Sequence, residues 1–252
     1  MKLDKKLVLN GKKSFLELLN QKELSKLIEH VYISSSQSFL ISQCEEHNLP
    51  YSVKSKSFLS SLKKELNSKY SDVFAVLASK EQLTFPELLK KLSESQEPEL
   101  IVMADKVQDP YNFGAVIRTC VGAGLNYLVY STTNNVRLDS TVLKTSQGYA
   151  MKLNLIAVPN LTNALEKLKR LGFWSYGSCL SNDSKTYSSV EYSPRSVLVL
   201  GNEGQGISRL LESKVDWKIS IPLAKEVDSL NVSVAAGILI YEYVRQLNSL
   251  KS

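Results

Sequence analysis

The chain has 252 residues, of which 43% are hydrophobic and 22% are charged. It is therefore long enough and apolar enough to bury a core, as one large domain or as two smaller ones. Its formal net charge of +6 favours a polyanionic partner, and nucleic acid is the commonest partner of that kind.

Composition also argues against two classes of protein. The three cysteines are far apart and the chain has only two histidines, so no zinc motif can be assembled and we expect no metal. The longest apolar stretch, residues 232–244, is too short to span a bilayer, and the charged N-terminus is not followed by an apolar signal core. We expect a cytoplasmic protein without a membrane segment.

Short apolar runs alternate with amphipathic runs from one end of the chain to the other. In chain order, the apolar runs predict strands at residues 31–33, 73–77, 100–104, 127–130, 153–157, 173–176, 197–200 and 218–221. The amphipathic runs predict helices at residues 14–19, 39–46, 58–66, 161–171 and 232–247. This alternation is typical of βα units around a mostly parallel sheet, so we predict an α/β fold.

A polar segment containing Pro98 separates a predicted helix that ends at Leu92 from the strand that opens at Leu100. We therefore predict a smaller N-terminal α/β domain over residues 1–92, a linker over 93–98 and a larger domain over 99–252, all within the usual range of domain sizes.

Three polar loops in the larger domain each follow a predicted strand and precede a predicted helix. Loop 1 is DPYNFG at residues 109–114, loop 2 is GNEGQG at residues 201–206 and loop 3 is IPLAKEVDSLN at residues 221–231. Parallel sheets bind ligands at the carboxyl ends of their strands, so the three loops predict one composite site.

Each loop also has an ordinary structural interpretation. Asn112 is a good N-cap for a helix that runs through Arg118, and Ser229 and Asn231 could cap the next predicted helix. That last helix is apolar nearly all round, so it lies either in a core or in a dimer interface. Loop 2 could be a tight turn, and its glycine spacing is not the GxGxxG of dinucleotide-binding proteins, which excludes an NAD-linked oxidoreductase.

Taken together, these segments resemble the three motifs of the SpoU (TrmH-like) RNA ribose 2'-O-methyltransferases of the SPOUT superfamily. The family pattern is N-x-G-x-x-x-R-T, then G-x-E-x-x-G after a strand, then I-P-x-x-x-x-x-x-S-L-N-V-S-x-A. The chain meets this pattern with Asn112, Gly114, Arg118, Thr119, Gly201, Glu203, Gly206, Ile221, Pro222, Ser229, Leu230, Asn231, Val232, Ser233 and Ala235. The third motif usually has a glycine where this chain has Lys225.

The resemblance implies a homodimer whose C-terminal domain forms a deep trefoil knot that binds S-adenosylmethionine. Backbone at Gly201, Ile221 and Leu230 would frame this cofactor. Ser178 and Gly177 would assist from the end of another strand. The apolar C-terminal helix is a suitable element for the dimer interface.

The same resemblance implies roles in catalysis. It makes Arg118 the residue closest to the reacting hydroxyl. Because a guanidinium does not deprotonate in a protein, we expect Arg118 to clamp an RNA phosphate and to stabilise charge that develops on the ribose oxygen. Asn112, Ser229 and Asn231 would position the ribose and Arg118. Glu203 would orient the site.

The N-terminal domain resembles the ribosomal-protein-like RNA-binding domain of the ribosomal RNA branch of this family. We therefore expect methylation of a guanosine ribose in large-subunit ribosomal RNA. Two alternatives stay open: a transfer RNA ribose methyltransferase, and a non-catalytic RNA-binding factor for ribosome assembly. The complete set of motif residues argues against the second alternative.

Overall fold

The computed structural model describes residues 6–66, 72–78, 82–133, 136, 138–179, 181, 183–202, 204 and 206–249. The strands are β1 (Leu7–Asn10), β2 (Ile28–Ser34), β3 (Tyr51–Lys54), β4 (Val73–Leu77), β5 (Glu99–Ala104), β6 (Tyr127–Ser131), β7 (Asn154–Val158), β8 (Trp174–Ser178), β9 (Lys185–Thr186), β10 (Arg195–Leu200) and β11 (Trp217–Ser220). The helices are α1 (Lys12–Leu19), α2 (Lys22–Ser25), α3 (Ser38–Glu46), α4 (Lys56–Glu65), α5 (Phe85–Ser93), α6 (Pro110–Gly122), α7 (Ser140–Thr145), α8 (Leu161–Arg170), α9 (Arg209–Glu212) and α10 (Val232–Ser249).

The chain forms two compact units, and the first consists of residues 1–81 and 138–152. Its sheet has the order β1-β4-β2-β3, in which β4 runs antiparallel to β1 and β2, while β3 runs parallel to β2. Helix α4 covers one face of this sheet, where Leu59 and Leu62 pack against Phe74 and Val76.

The second unit consists of residues 82–137 and 153–252. Its seven strands have the order β7-β6-β5-β10-β8-β11-β9, and every pair is parallel. Helices α5 and α8 bury one apolar face in a core that includes Ile101, Ile156 and Val197, while α10 packs on α6. The predicted α/β fold with a mostly parallel sheet is therefore confirmed.

The unit boundaries differ from the predicted linker at residues 93–98. Helix α5 precedes that polar segment, yet Leu88 and Leu92 are buried in the core of the second unit. Residues 138–152 belong to the first unit, where Gln147 Nε2 donates a hydrogen bond to Glu17 Oε1 at 2.9 Å. The packing of apolar faces decides these boundaries, and the position of a polar segment does not.

All eight predicted strands are present, and so are the five helices predicted from amphipathic runs, with ends that shift by a few residues. The strands β1, β3 and β9 have only two to four residues, and the sequence pattern did not predict them. None of the helices in the described ranges combines the length and the hydrophobicity that a membrane span requires. The described part of the chain also contains no group of three or more His, Cys, Asp or Glu placed to hold a metal ion.

Candidate functional site

The three loops lie at one edge of the second sheet because the strands that lead into them are parallel and close together. Strand β10, which leads into loop 2, lies beside β5, which leads toward loop 1. On its other side is β8, and β8 pairs with β11, which leads into loop 3. The carboxyl ends of these strands bring the loops together, as parallel topology requires.

Loop 1 starts α6 with a different cap from the one predicted. Asp109, not Asn112, is the N-cap: its carboxylate accepts hydrogen bonds from the backbone N–H of Tyr111 at 3.2 Å and of Asn112 at 3.3 Å. Pro110 occupies the first helical position, where its fixed φ and missing N–H are tolerated, and this places the cap at the preceding residue. Asn112 therefore lies inside the first turn of α6.

The amide of Asn112 connects loop 1 to loop 3. Asn231 Nδ2 donates a hydrogen bond to Asn112 Oδ1 at 2.9 Å. The Oδ1 atom of Asn231 accepts hydrogen bonds from the backbone N–H of Ser233 at 2.9 Å and from its hydroxyl at 2.6 Å. Asn231 thus caps the start of α10 and also holds the start of α6. The capping interpretation of Asn231 is therefore confirmed.

Loop 2 folds back on itself so tightly that one glycine is required. The backbone of Asn202 and that of Gly206 exchange two hydrogen bonds, at 3.0 and 2.9 Å. A Cβ atom on Gly201 would lie 2.1 Å from the carbonyl carbon of Gly206. The glycine is needed here because the loop packs against its own backbone.

Asp105 is a buried acid that supports loop 2 and that the sequence analysis missed. It follows β5, is 5% exposed, and its Oδ2 atom accepts a hydrogen bond from the backbone N–H of Ser208 at 2.7 Å. In addition, Asn202 Nδ2 donates to the carbonyl of Lys106 at 3.2 Å. These two bonds connect the segment before loop 1 to loop 2. The sequence feature that could have identified Asp105 is an acidic residue directly after an apolar strand.

Beside these loops is a cavity of about 590 Å³. Five of the predicted site residues line it: Ser178, Gly201, Ile221, Ser229 and Leu230. Gly177 is buried one residue before Ser178, and a Cβ atom there would lie 2.8 Å from the side chain of Ile207. Close packing against Ile207 therefore accounts for the glycine at position 177.

Asn112, Arg118 and Asn231 are not among the residues that line this cavity. Arg118 is exposed on α6, and its guanidinium forms no ion pair with any residue that the structure describes. Asn112 is half-buried and Asn231 is exposed. Glu203 lies outside the described residues. The structure therefore brings Asn112 and Asn231 together and leaves Arg118 open to solvent.

Cys179 also lines the cavity, and its buried surroundings disfavour the thiolate that a nucleophile requires. Burial raises the pKa of its thiol to about 12, so the thiolate is not populated near neutral pH. Burial also raises the pKa values of Cys44 and Cys120. All three cysteines are free and buried, which fits a role as small apolar side chains.

Lys225, which replaces the usual family glycine, is compatible with the conformation of loop 3. Asn48, Lys106 and Gln147 are the described non-glycine residues with positive φ, so Lys225 does not adopt a backbone conformation that favours glycine. Its side chain is exposed.

Comparison with known proteins identifies the family to which the chain belongs. The model of the SpoU rRNA Methylase family matches residues 99–241, which is more than half of the chain. The chain belongs to the SpoU methylase family. This family uses S-adenosylmethionine, and a SpoU methyltransferase from Streptomyces viridochromogenes has been solved in complex with that cofactor. That structure has a TM-score of 0.75 at 20% identity and covers 97% of this chain and 91% of its own, so it shows a shared fold.

Two relatives are closer in sequence to this SpoU family member. An uncharacterised tRNA/rRNA methyltransferase of Mycoplasma genitalium is 33% identical over 235 residues, covering 92% of this chain and 95% of that protein. The structure of a TrmH/SpoU tRNA modifying enzyme of A. aeolicus is 35% identical, with a TM-score of 0.56, and covers 66% of this chain and 86% of its own.

Proposed function

We propose that this chain is an S-adenosylmethionine-dependent RNA methyltransferase whose acceptor is a ribose 2'-hydroxyl. The observation that carries the proposal is the hydrogen bond between Asn231 and Asn112, which joins loops 1 and 3 next to the cavity lined by Gly201, Ser229 and Leu230. Residues from three separate motifs therefore converge at one edge of the sheet, as a composite site requires.

The cavity fits the cofactor in size and in chemistry. Its volume of about 590 Å³ lies in the range of small-molecule sites, about 300–1,000 Å³. The apolar side chains of Ile221, Leu223 and Leu230 suit a flat base, and the carboxylates of Asp228 and Glu212 suit a cation. When bound there, S-adenosylmethionine supplies an electrophilic methyl group.

The protein's own residues position the acceptor. Arg118 binds an RNA phosphate near the reacting ribose and stabilises negative charge that develops on the 2'-oxygen. Asn112 and Asn231 hold the starts of α6 and α10 in a fixed relation, and Ser229 faces the cavity. Orientation of this kind can lower the activation free energy by about 7–11 kcal/mol in favourable cases. The hydroxyl proton passes to an RNA phosphate or to water.

The proposal includes a deep trefoil knot in the second unit. Two features support it: the order of the strands, in which the chain returns from β9 at the sheet edge to β10 at its centre, and the hydrogen bonds that connect the three loops. The full-length likeness in fold to a SpoU methyltransferase also supports it.

The first unit is proposed to bind the RNA substrate. Two lysines lie over aromatic rings at the strand ends of this unit: Lys12 Nζ is 5.4 Å from the centroid of the Phe39 ring, and Lys54 Nζ is 5.3 Å from that of Phe58. Phe39 is 53% exposed. Cationic groups next to accessible aromatic rings are typical of surfaces that bind unpaired nucleic acid.

A homodimer is part of the proposal. Helix α10 packs on α6 and still exposes Val234 and Tyr241, while Tyr111 is exposed at the start of α6. Large apolar side chains exposed on adjacent helices favour a second protein surface over water. The matching surface of another copy would cover them in a two-fold arrangement.

Ribosomal RNA is the proposed substrate, with a guanosine in the large subunit as the target. Transfer RNA is the second candidate, because the relative in A. aeolicus is described as a tRNA modifying enzyme.

The test offers labelled S-adenosylmethionine with ribosomal RNA and with transfer RNA, each purified from cells that lack this protein. Label in ribosomal RNA supports the proposal. Label confined to transfer RNA would show that transfer RNA is the substrate and would leave the proposed methyl transfer unchanged. Label in neither RNA contradicts both assignments.

A further inference from the structure

The charged side chains that line the cavity are acidic, although the chain as a whole has a net charge of +6. Asp228 and Glu212 line it, and the described lining contains no Lys or Arg. Glu212 Oε1 lies 3.2 Å from Lys218 Nζ, and this ammonium also pairs with Asp183 at 2.9 Å. Because the two carboxylates share one ammonium, the charge of Glu212 is offset in part.

Asp228 differs from Glu212 in this respect. It is exposed in loop 3, next to Ser229, and it forms no ion pair with another described residue. Of the two acidic residues in the described lining, Asp228 is therefore the one without a cationic partner among the described residues. A ligand that carries a positive charge gains from this group, and a neutral ligand of the same shape does not.

The reaction changes the charge of the ligand by one unit. As the methyl carbon forms its new bond to the ribose 2'-oxygen, the electron pair of the broken S–C bond stays on sulfur. The sulfonium becomes a neutral thioether, and the hydroxyl proton leaves to phosphate or water. The ammonium and carboxylate of the amino acid part are the same before and after transfer.

We infer that Asp228 makes this cavity select the cationic methyl donor over its neutral product, S-adenosylhomocysteine. The inference rests on the proposed function. Loss of the positive charge weakens the contact with Asp228, so the product leaves more readily and the site reloads with fresh cofactor. The same negative charge repels RNA phosphates from the cavity, while the exposed guanidinium of Arg118 attracts them outside it.

The chain contains a matched control for this test. Glu226 is an exposed acid in the same loop, two residues from Asp228, and it is not among the residues that line the cavity. Glu226→Gln and Asp228→Asn each remove one negative charge from loop 3. Both variants change the net charge of loop 3 by the same amount. Only Asp228→Asn changes the charge of a residue that lines the cavity.

The experiment measures the Kd values of three ligands by isothermal titration calorimetry with the full chain. The ligands are S-adenosylmethionine, S-adenosylhomocysteine and sinefungin, in which a protonated amine replaces the methylsulfonium group. We expect Asp228→Asn to weaken the binding of the two cationic ligands about three- to fivefold, the size of an exposed charge pair, and to change the Kd of S-adenosylhomocysteine less than twofold. Glu226→Gln leaves all three Kd values unchanged.

The outcomes separate this inference from the proposed function. If Asp228→Asn weakens all three ligands equally, or changes none of them, selection by charge is refuted while cofactor binding stands. If the unmodified chain binds neither S-adenosylmethionine nor its product, the proposed function fails and the inference fails with it. Thermal unfolding of each variant shows that the fold is retained, as expected for exposed side chains.

Discussion

Arg118 and Asn112 lie on the same helix, yet the structure gives them different surroundings. Asn112 accepts a hydrogen bond from Asn231, whereas Arg118 is exposed and unpaired within the described chain. An exposed guanidinium on the helix that loop 1 starts, with no ion-pair partner among the described residues, is available to bind a phosphate. The contribution of Arg118 should therefore be seen in catalysis and not in stability.

Replacement of Arg118 by Ala should lower the turnover of methyl transfer about 10²–10³-fold, the usual cost of removing one donor that stabilises developing negative charge. The Kd of S-adenosylmethionine should not change, because Arg118 does not line the cavity. Single-turnover kinetics and calorimetry measure the two quantities. Arg170→Ala, an exposed arginine on α8, is the control. Turnover by Arg118→Ala at the rate of the unmodified chain would exclude the proposed role.

Gly201 and Gly204 give a matched pair within loop 2. Gly201→Ala should destabilise the fold by about 2 kcal/mol or more, because its Cβ would lie 2.1 Å from backbone that cannot move away. Gly204→Ala should have an effect within about 0.5 kcal/mol, because the nearest atom to its Cβ is 3.7 Å away on the Asn202 side chain. Urea denaturation measures both. Equal stability of the two variants would contradict the loop geometry.

The sequence predicted that the three loops lie together, but it did not predict every local role within them. Loops 1, 2 and 3 were recognised from residue types, but Asn112 was wrongly predicted to cap α6. That error arose because Asp109, Pro110 and Asn112 all suit a helix start, and only the position of Pro110 inside the first turn decides between the two caps. The contact of Asp105 with loop 2 depends on strand pairing, which no local pattern shows.

At the scale of elements, the apolar periodicity predicted the long strands and helices because burial sets it directly. The connection between α8, β8 and the turn before β11 was not predictable. Asp216 accepts hydrogen bonds there from the backbone N–H of Ser175 at 2.9 Å and from its hydroxyl at 2.6 Å. Its Oδ1 atom also lies 2.6 Å from Lys169 Nζ. The residues that meet at this point come from three distant parts of the chain.

Asp216→Asn should lower the free energy of unfolding near neutral pH by about 1 kcal/mol. Burial alone would raise the pKa of Asp216, but the hydrogen bonds from Lys169 and Ser175 outweigh it, so the pKa lies below its usual 3.8. The stabilisation is complete above that usual value and is lost as the pH falls through the lower folded pKa. Urea denaturation across the acid range measures this effect. The account is contradicted if the difference in free energy of unfolding between Asp216→Asn and the unmodified chain does not shrink as the pH falls below 3.8. Glu226→Gln is the control.

At the scale of the whole molecule, the α/β fold class could be predicted, but the assignment of residues 138–152 to the first unit could not. Residues 138–152 leave the second unit in sequence and pack in the first, where Gly148 lies so close to Leu18 that a Cβ atom would be 2.9 Å from that side chain. A single boundary along the chain cannot describe such an arrangement.

The basic net charge of the chain agrees with an RNA substrate, whereas the acidic cavity suits a small cation.

Cofactor binding should stabilise the whole chain by mass action. At a concentration about 100 times its Kd, S-adenosylmethionine should add about 2.7 kcal/mol to the free energy of unfolding and raise Tm accordingly. Differential scanning calorimetry with increasing cofactor measures the shift. Adenosine, which lacks the sulfonium and the amino acid, is the matched ligand and should give a smaller rise. A Tm that does not depend on S-adenosylmethionine would contradict the assigned cavity.

The most direct test of the central claim is the position of the transferred methyl group on RNA. Labelled S-adenosylmethionine is incubated with the chain and ribosomal RNA, and the RNA is then divided between alkaline hydrolysis and complete digestion to nucleosides. The account predicts label in alkali-resistant dinucleotides and in 2'-O-methylated nucleosides, because a blocked 2'-hydroxyl cannot attack the neighbouring phosphate. Label on a base, released by alkali in single nucleotides, would contradict it.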